Sequence, residues 1–363
     1  MNTRRWLGLV LLIVVSGWPG LFSTSVYPCR ADEVVSGLPP PTRVQHNLPT
    51  ATVRQAVTAL SQSGGVQLDT DPLLAERPCP LSFHDVPFWQ AIDQLAARVQ
   101  GRWLVSADGR SLRLVPRGSG QTIASLNGPF RLVVQAVTAR LVPELAASSC
   151  DIRLLVHWEP QYAIYRMDSV PRITVAIDDR GQALQAETGK SYQYPLAASG
   201  ELMVRLHGVQ RSAQRLARLE GDFHAIIAER LLNVVWNTPP QAKPVSQTVE
   251  MLQLTWKSMR KIESLELWEV ELEWLYPSSH PAFDSFEESK WLRDVQLIWR
   301  MPDGKIVRPQ GEDIYASGRQ VRAVCQFPTR IDPMQRGWAL ILVTPAPLRE
   351  VKVPFRLENV PLP

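Results

Sequence analysis

Residues 53–60, Val53-Arg54-Gln55-Ala56-Val57-Thr58-Ala59-Leu60, and residues 88–95, Phe88-Trp89-Gln90-Ala91-Ile92-Asp93-Gln94-Leu95, carry one short helical pattern twice. In each copy Gln-Ala-(Val or Ile) is followed three residues later by Leu, which sets apolar side chains on one helical face. Gly64-Gly65 stops the first helix, and Pro87 suits the first turn of the second. Residues 66–68 and 81–86 read as strands. Residues 103–106 and 111–115, joined through Asp108-Gly109, read as a hairpin, because Asp-Gly accepts the positive φ angles of a tight turn. A half-repeat this short cannot bury an apolar face alone. Two copies closing on one small sheet therefore predict a compact α+β module of the kind used for binding.

Working outward, Leu38-Pro39-Pro40-Pro41 gives a stiff extended lead-in. Leu48-Pro49, Val53, Ala56-Val57, Leu60, Leu81-Ser82-Phe83, Val86-Pro87-Phe88, Ala91-Ile92 and Leu95 together resemble the secretin and TonB short N-terminal domain over residues 44–116. The resemblance implies a small periplasmic module that contacts signalling or assembly partners and holds no catalytic residues. The rest of the chain departs from that family's usual company, since it shows no run of barrel-forming segments.

At the N-terminus Arg4 and Arg5 precede an apolar run over residues 6–15, broken by Gly17, Pro19 and Gly20. The run is too short to span a membrane and reads, with Ala31-Asp32, as a signal peptide cleaved near Ala31. Cys29 raises a lipoprotein reading, but Tyr27-Pro28 before it lacks the small residues that signal needs. Cleavage leaves Cys79, Cys150 and Cys325, an odd number, so at most one internal disulfide can form and its pairing stays open. The 363 residues are 45% hydrophobic and 20% charged with a net charge of +4, enough for two or three cores. Basic residues are scattered among acids, which argues against nucleic acid or anionic membrane as partner.

After Gly118-Ser119-Gly120 short strand candidates dominate, at 130–136, 152–158, 172–177, 202–206, 216–219 and 223–227. Asn237-Thr238-Pro239-Pro240 with Pro244 reads as a linker. Further candidates follow at 252–256, 265–276, 295–301, 321–327, 338–344 and 351–357, with Pro302-Asp303-Gly304-Lys305 turning a hairpin. In residues 265–276 the apolar phase switches between Leu267 and Trp268, which predicts a bulge or bend there. Phe283-Asp284-Ser285-Phe286, Asp303-Gly304-Lys305, Val343-Thr344-Pro345, Val353-Pro354-Phe355 and Val360-Pro361-Leu362-Pro363 resemble the C-terminal halves of uncharacterised exported bacterial proteins. That resemblance implies export and a β-sandwich, and no activity.

The expected organisation is a signal peptide (1–31), a Pro-rich linker (32–43), the secretin/TonB-like module (44–118), a β-sandwich domain (126–236), a Pro-rich linker (237–245) and a second β-sandwich domain (246–363). The fold class is thus α+β and all-β multidomain, a small βαββαβ-type module followed by two β-sandwich domains.

Chemistry-bearing patterns are few. Gly-x-Ser-x-Gly, His-Glu-x-x-His and Gly-x-x-x-x-Gly-Lys are all missing from the sequence, so hydrolase, zinc-protease and nucleotide readings lose their usual starting points. His157, Glu159, His207, His224 and Asp178-Asp179 offer metal-ligating atoms but no convergent spacing, and Asp178-Asp179-Arg180-Gly181 reads more simply as a turn. Glu271 and Glu273 fall on one outward strand face, and Glu287-Glu288 form a second acidic pair. Arg211, Arg215 and Arg218 read as a solvated strand face. Of the chain's 12 tryptophans, Trp256, Trp268, Trp274, Trp299 and Trp338 sit at apolar strand phases, whereas Trp291 stands beside Lys290 and Arg293 and is a candidate partner contact. Asp69 and Asp71, in the loop 69–80, are the other candidate contacts.

The sequence therefore predicts an exported, periplasmic or secreted envelope protein that is not an enzyme and uses no cofactor. It would act in protein interaction or assembly through its N-terminal module and its sheet edges, with an envelope protein as partner and no membrane span after signal cleavage. The alternatives are a carbohydrate-binding envelope protein using exposed tryptophan, and a hydrolase with an unrecognised site.

Overall fold

The computed structural model describes residues 37–106, 111–118, 120–142, 147–240, 243–282, 292–329 and 337–363. Strands dominate, and six sheets form among the described residues.

The first region runs β1 (Arg43–Leu48), α1 (Val53–Gly64), β2 (Gln67–Thr70), α2 (Pro72–Ala75), β3 (Leu81–Pro87), α3 (Phe88–Arg98), β4 (Gly101–Val105) and β5 (Ser111–Pro116). Thr52 and Gln55 cap α1 reciprocally, each side chain accepting from the other's backbone N–H, and Gly65 ends it at φ 64°. The apolar faces read from the repeat turn inward, with Val53, Ala56, Val57, Leu60, Ile92 and Leu95 all buried. Burying each Val, Leu or Ile among them contributes about 1.5–3 kcal/mol. The Phe88 ring packs so closely on Gly64 that a Cβ there would lie 2.2 Å from it, so the two helices meet only because that residue is glycine. The strands form two sheets, not the one expected. β1 pairs with β3, while β5 pairs with β2 in parallel and β4 antiparallel.

The second region holds β6 (Ala124–Asn127), β7 (Phe130–Val142), β8 (Ala147–Trp158), β9 (Ala163–Asp168), β10 (Arg172–Asp178), β11 (Gln185–Ala186), β12 (Tyr192–Gln193), β13 (Ser199–His207) and β14 (Arg215–Ala228). One sheet runs β11-β13-β8-β7-β6 and the other β10-β14-β9-β12. Alternation turns Ile152, Leu154 and Val156 of the first sheet and Leu219, Phe223 and Ile227 of the second into one core. The candidates at 216–219 and 223–227 are a single strand that passes straight through Gly221. A Cβ on Gly221 would lie 2.4 Å from the Arg172 carbonyl oxygen, so this glycine marks close strand approach rather than a turn. Asp178 does make the turn expected of it, its Oδ1 accepting from the N–H groups of Arg180 and Gln182.

The third region holds β15 (Leu231–Trp236), β16 (Val245–Val249), β17 (Leu252–Ile262), β18 (Leu267–Leu275), β19 (Gln296–Arg300), β20 (Ile306–Val307), β21 (Gly311–Ser317), β22 (Gln320–Pro328), β23 (Ala339–Pro345) and β24 (Leu348–Pro361). Sheets β15-β23-β19-β20 and β16-β17-β18-β22-β21 enclose Trp236, Trp256, Trp274, Trp299, Phe327 and Trp338. Trp256 and Trp299 meet edge to face at 5.8 Å.

Two strand placements differ from the sequence reading. β15 pairs with β23 in the third region, and β24 returns to pair with β14 along its whole length. Residues 237–245 thus join two strands of the third region. The chain passes between the two sheet pairs at Glu229-Arg230 and again at Ala346-Pro347, where Glu229 N–H donates to the Pro347 carbonyl and Ala346 N–H to that of Arg230. The result is an antiparallel ribbon, β14-β15 against β23-β24, running through both cores. The expected bulge at Leu267-Trp268 is not there either. β18 begins at Leu267 and pairs regularly with β22, and the phase change is absorbed by a 3-10 turn, Glu263–Leu265, with Glu266 at φ 51°.

Candidate interaction site

The loop 69–80 is built into the first region more firmly than the sequence suggested. Asp71 caps α2 by accepting from Leu73 N–H at 3.0 Å, and it faces Arg113 at 3.5 Å. Leu74, Ala75 and Cys79 are buried. Asp69 is exposed, its Oδ1 accepting from Thr70 N–H. The residue that projects is Leu73, 72% exposed. The run Asp71-Pro72-Leu73-Leu74, a cap and an N1 proline before two leucines, was the legible sign of that short helix. Sheet β2-β5-β4 ends on β2 and β4, and β4 presents Leu104 at 42% exposure. Trp291 lies outside the described residues, as do Glu287 and Glu288.

The first region is docked on the second. Trp89 donates its indole N–H to the Pro129 carbonyl at 2.8 Å and its ring lies 5.9 Å from that of His157. Arg131, buried in β7, reaches Asp93 of α3 through Nε and Nη2. Glu159 is fully buried, and its Oε2 accepts from Thr42 N–H at 2.8 Å, Thr42 Oγ1–H at 2.6 Å and Gln161 Nε2 at 3.0 Å. Burial raises the Glu159 carboxyl against the lowering effect of these donors. Burial, and after it the Arg131 charge, hold His157 down to about 3, so this imidazole stays neutral. Trp89, His157, Trp158 and Leu112 wall a cavity of about 290 Å³ at this seam. None of these seam contacts was read from the sequence, because each pairs residues far apart in the chain.

The ligating atoms weighed as a metal set do not converge. His157 and Glu159 serve the seam, His224 faces Asp168 with Nδ1 at 3.3 Å from Oδ2, and Asp178 makes its turn. Among the described residues no group of three His, Cys, Asp or Glu is placed to hold a metal ion. Glu271 and Glu273 lie on the outward face of β18, paired with Arg322 at 2.8 Å and Lys257 at 3.3 Å. Arg218 is likewise paired, with Glu220. Cys79, Cys150 and Cys325 are free thiols, one in each of three separate cores, and burial pushes Cys150 up to about 11 and Cys325 up to about 12. Every described tryptophan is buried or half-buried, so a platform of exposed tryptophan finds no basis among the described residues. No helix among them is long and apolar enough to cross a membrane.

No family model and no curated protein matches the chain. Among solved structures, the crystal structure of bovine butyrophilin aligns over 58% of this chain and 91% of its own at 13% identity, with a TM-score of 0.18. A likeness that low bears on neither fold nor function.

Proposed function

We propose that the protein is an exported, non-catalytic envelope protein, periplasmic or secreted, that acts in protein interaction or assembly. Its parts are a βαββαβ-type recognition module like the secretin and TonB short N-terminal domain, followed by two β-sandwich domains, with residues 1–31 as signal peptide. The observation that carries this reading is the presence of a sheet-edge strand, β4 with Leu104, and a projecting apolar residue, Leu73, on one small module. An edge strand gives a partner main-chain hydrogen bonds, and an exposed leucine gives it an anchor.

Cross-linking and pull-down from native envelope tests it, comparing the full chain with Leu73→Asp, Leu104→Pro and a chain lacking residues 44–116. Loss of the same partner from all three, with the β regions still folded, is the expected result. Capture at unchanged affinity by the truncated chain would move recognition to the sandwiches.

A further inference from the structure

The outer face of the β10-β14-β9-β12 sheet, turned away from its core, holds a cavity of about 630 Å³, within the ~300–1,000 Å³ usual for ligand pockets. Tyr192 of β12 lines it, set opposite Asp168 of β9 in the sheet register. The tyrosine is 44% exposed, and the Arg166 guanidinium lies over one face of its ring, 4.5 Å from the centroid. Beside it, Asp168 Oδ2 accepts from the backbone N–H of His224 at 2.7 Å and faces the same residue's Nδ1. Lys190 and Thr188 stand exposed on the rim.

Two cations at this wall are paired with carboxylates. Arg166 faces Glu350 at 3.5 Å, and Arg172 holds Asp222 at 2.8 Å. What the pocket offers is an exposed aromatic ring beside groups with directional donors and acceptors. Asp168 Oδ1, His224 Nε2, the Thr188 hydroxyl and the Lys190 ammonium are left for a ligand. That combination matches a pyranose, whose C–H face lies on a ring while its hydroxyls give and take hydrogen bonds.

We propose that the Tyr192 pocket is a glycan-binding site, recognising sugar through its hydroxyls and its apolar ring face rather than through charge. It is separate from the partner surface at Leu73 and Leu104, and stands or falls independently of it.

The test is a glycan array of neutral, N-acetylated and uronic oligosaccharides probed with the full chain, followed by calorimetric titration with the best-bound one. Tyr192→Ala should weaken binding about tenfold or more, while Tyr192→Phe stays within about threefold. Tyr315→Ala, removing an equally exposed tyrosine on β21, should leave it unchanged. Affinity should hold between roughly 50 and 500 mM salt. Silence across the array, wild-type affinity in Tyr192→Ala, or collapse of binding with salt would each overturn the proposal.

Discussion

Arg131 of β7 holds Asp93 of α3 at 2.8 Å, and the arginine side chain is only 3% exposed. A guanidinium buried against one carboxylate has nowhere else to turn. Asp93→Ala should therefore cost about 1.5–3 kcal/mol, the worth of hydrogen bonds to a charged group. Asp93→Asn, which keeps an acceptor, should cost less. Urea unfolding of the full chain separates them by their midpoints, and equal midpoints for Asp93→Ala and the native protein would remove this contact from the account of how the two regions are joined.

An acid limb should appear in the stability profile. His157 ionises near its usual 6.5 when unfolded but is held down to about 3 in the fold, by burial and then by Arg131. The unfolded chain thus binds a proton that the folded chain refuses, and stability falls as pH drops through that window by up to about 1.4 kcal/mol per unit. Burial lowers His280 to about 4 with the same sign. Glu159, raised by burial, works in the opposite sense at carboxylate pH. His157→Phe keeps a ring against Trp89 and removes the titration. Its unfolding free energy should decline less steeply between pH 6.5 and 4 than that of the native protein.

Gly221→Ala should destabilise by about 1–3 kcal/mol, the cost of overpacking. The new methyl would meet the Arg172 carbonyl oxygen at 2.4 Å and the Phe355 ring at 3.1 Å. Substituting Gly189, which has open space around it, is the control. Thermal melts that place both variants together would show that the strands separate at little cost.

The three described thiols should resist alkylation in the folded protein. Each is at most 1% exposed, and burial raises all three, which suppresses the reactive thiolate. Mass spectrometry after iodoacetamide should find Cys79, Cys150 and Cys325 unmodified in buffer and modified in denaturant. Modification of any of them under native conditions would mean that its core opens.

How much of this was legible depends on the range of the contacts. α1 and α3 were readable because Val53, Val57 and Leu60, or Ile92 and Leu95, repeat at helical spacing with capping residues beside them. The turn at Asp303-Gly304 was readable because Gly304 takes φ 85°. The same local reasoning split β14 into 216–219 and 223–227, since the neighbour that requires a glycine at 221, Arg172, is distant in the sequence. It also took Pro239-Pro240 for the passage between sandwiches. The true passages at Glu229-Arg230 and Ala346-Pro347 are set by pairing of β14 with β24, a relationship that no local window contains. Of the candidate contacts, Asp71 is spent on a helix cap, and the residue that projects from 69–80 is Leu73.

The ribbon of β14-β15 against β23-β24 has a consequence for how the protein comes into being. β24 supplies Val351, Val353, Phe355, Leu357 and Val360 to a core whose other buried members precede residue 229. A nascent chain emerging from its N-terminus can close the first region early, but the middle sandwich must wait with one edge of β14 unpaired until Leu348–Pro361 has been synthesised. The intervening third region has to be complete, or nearly so, before that edge is covered. Such delayed, long-range closure is slow and leaves a strand open to other chains in the meantime. The strand that covers this edge of β14 is thus made only after the rest of the third region.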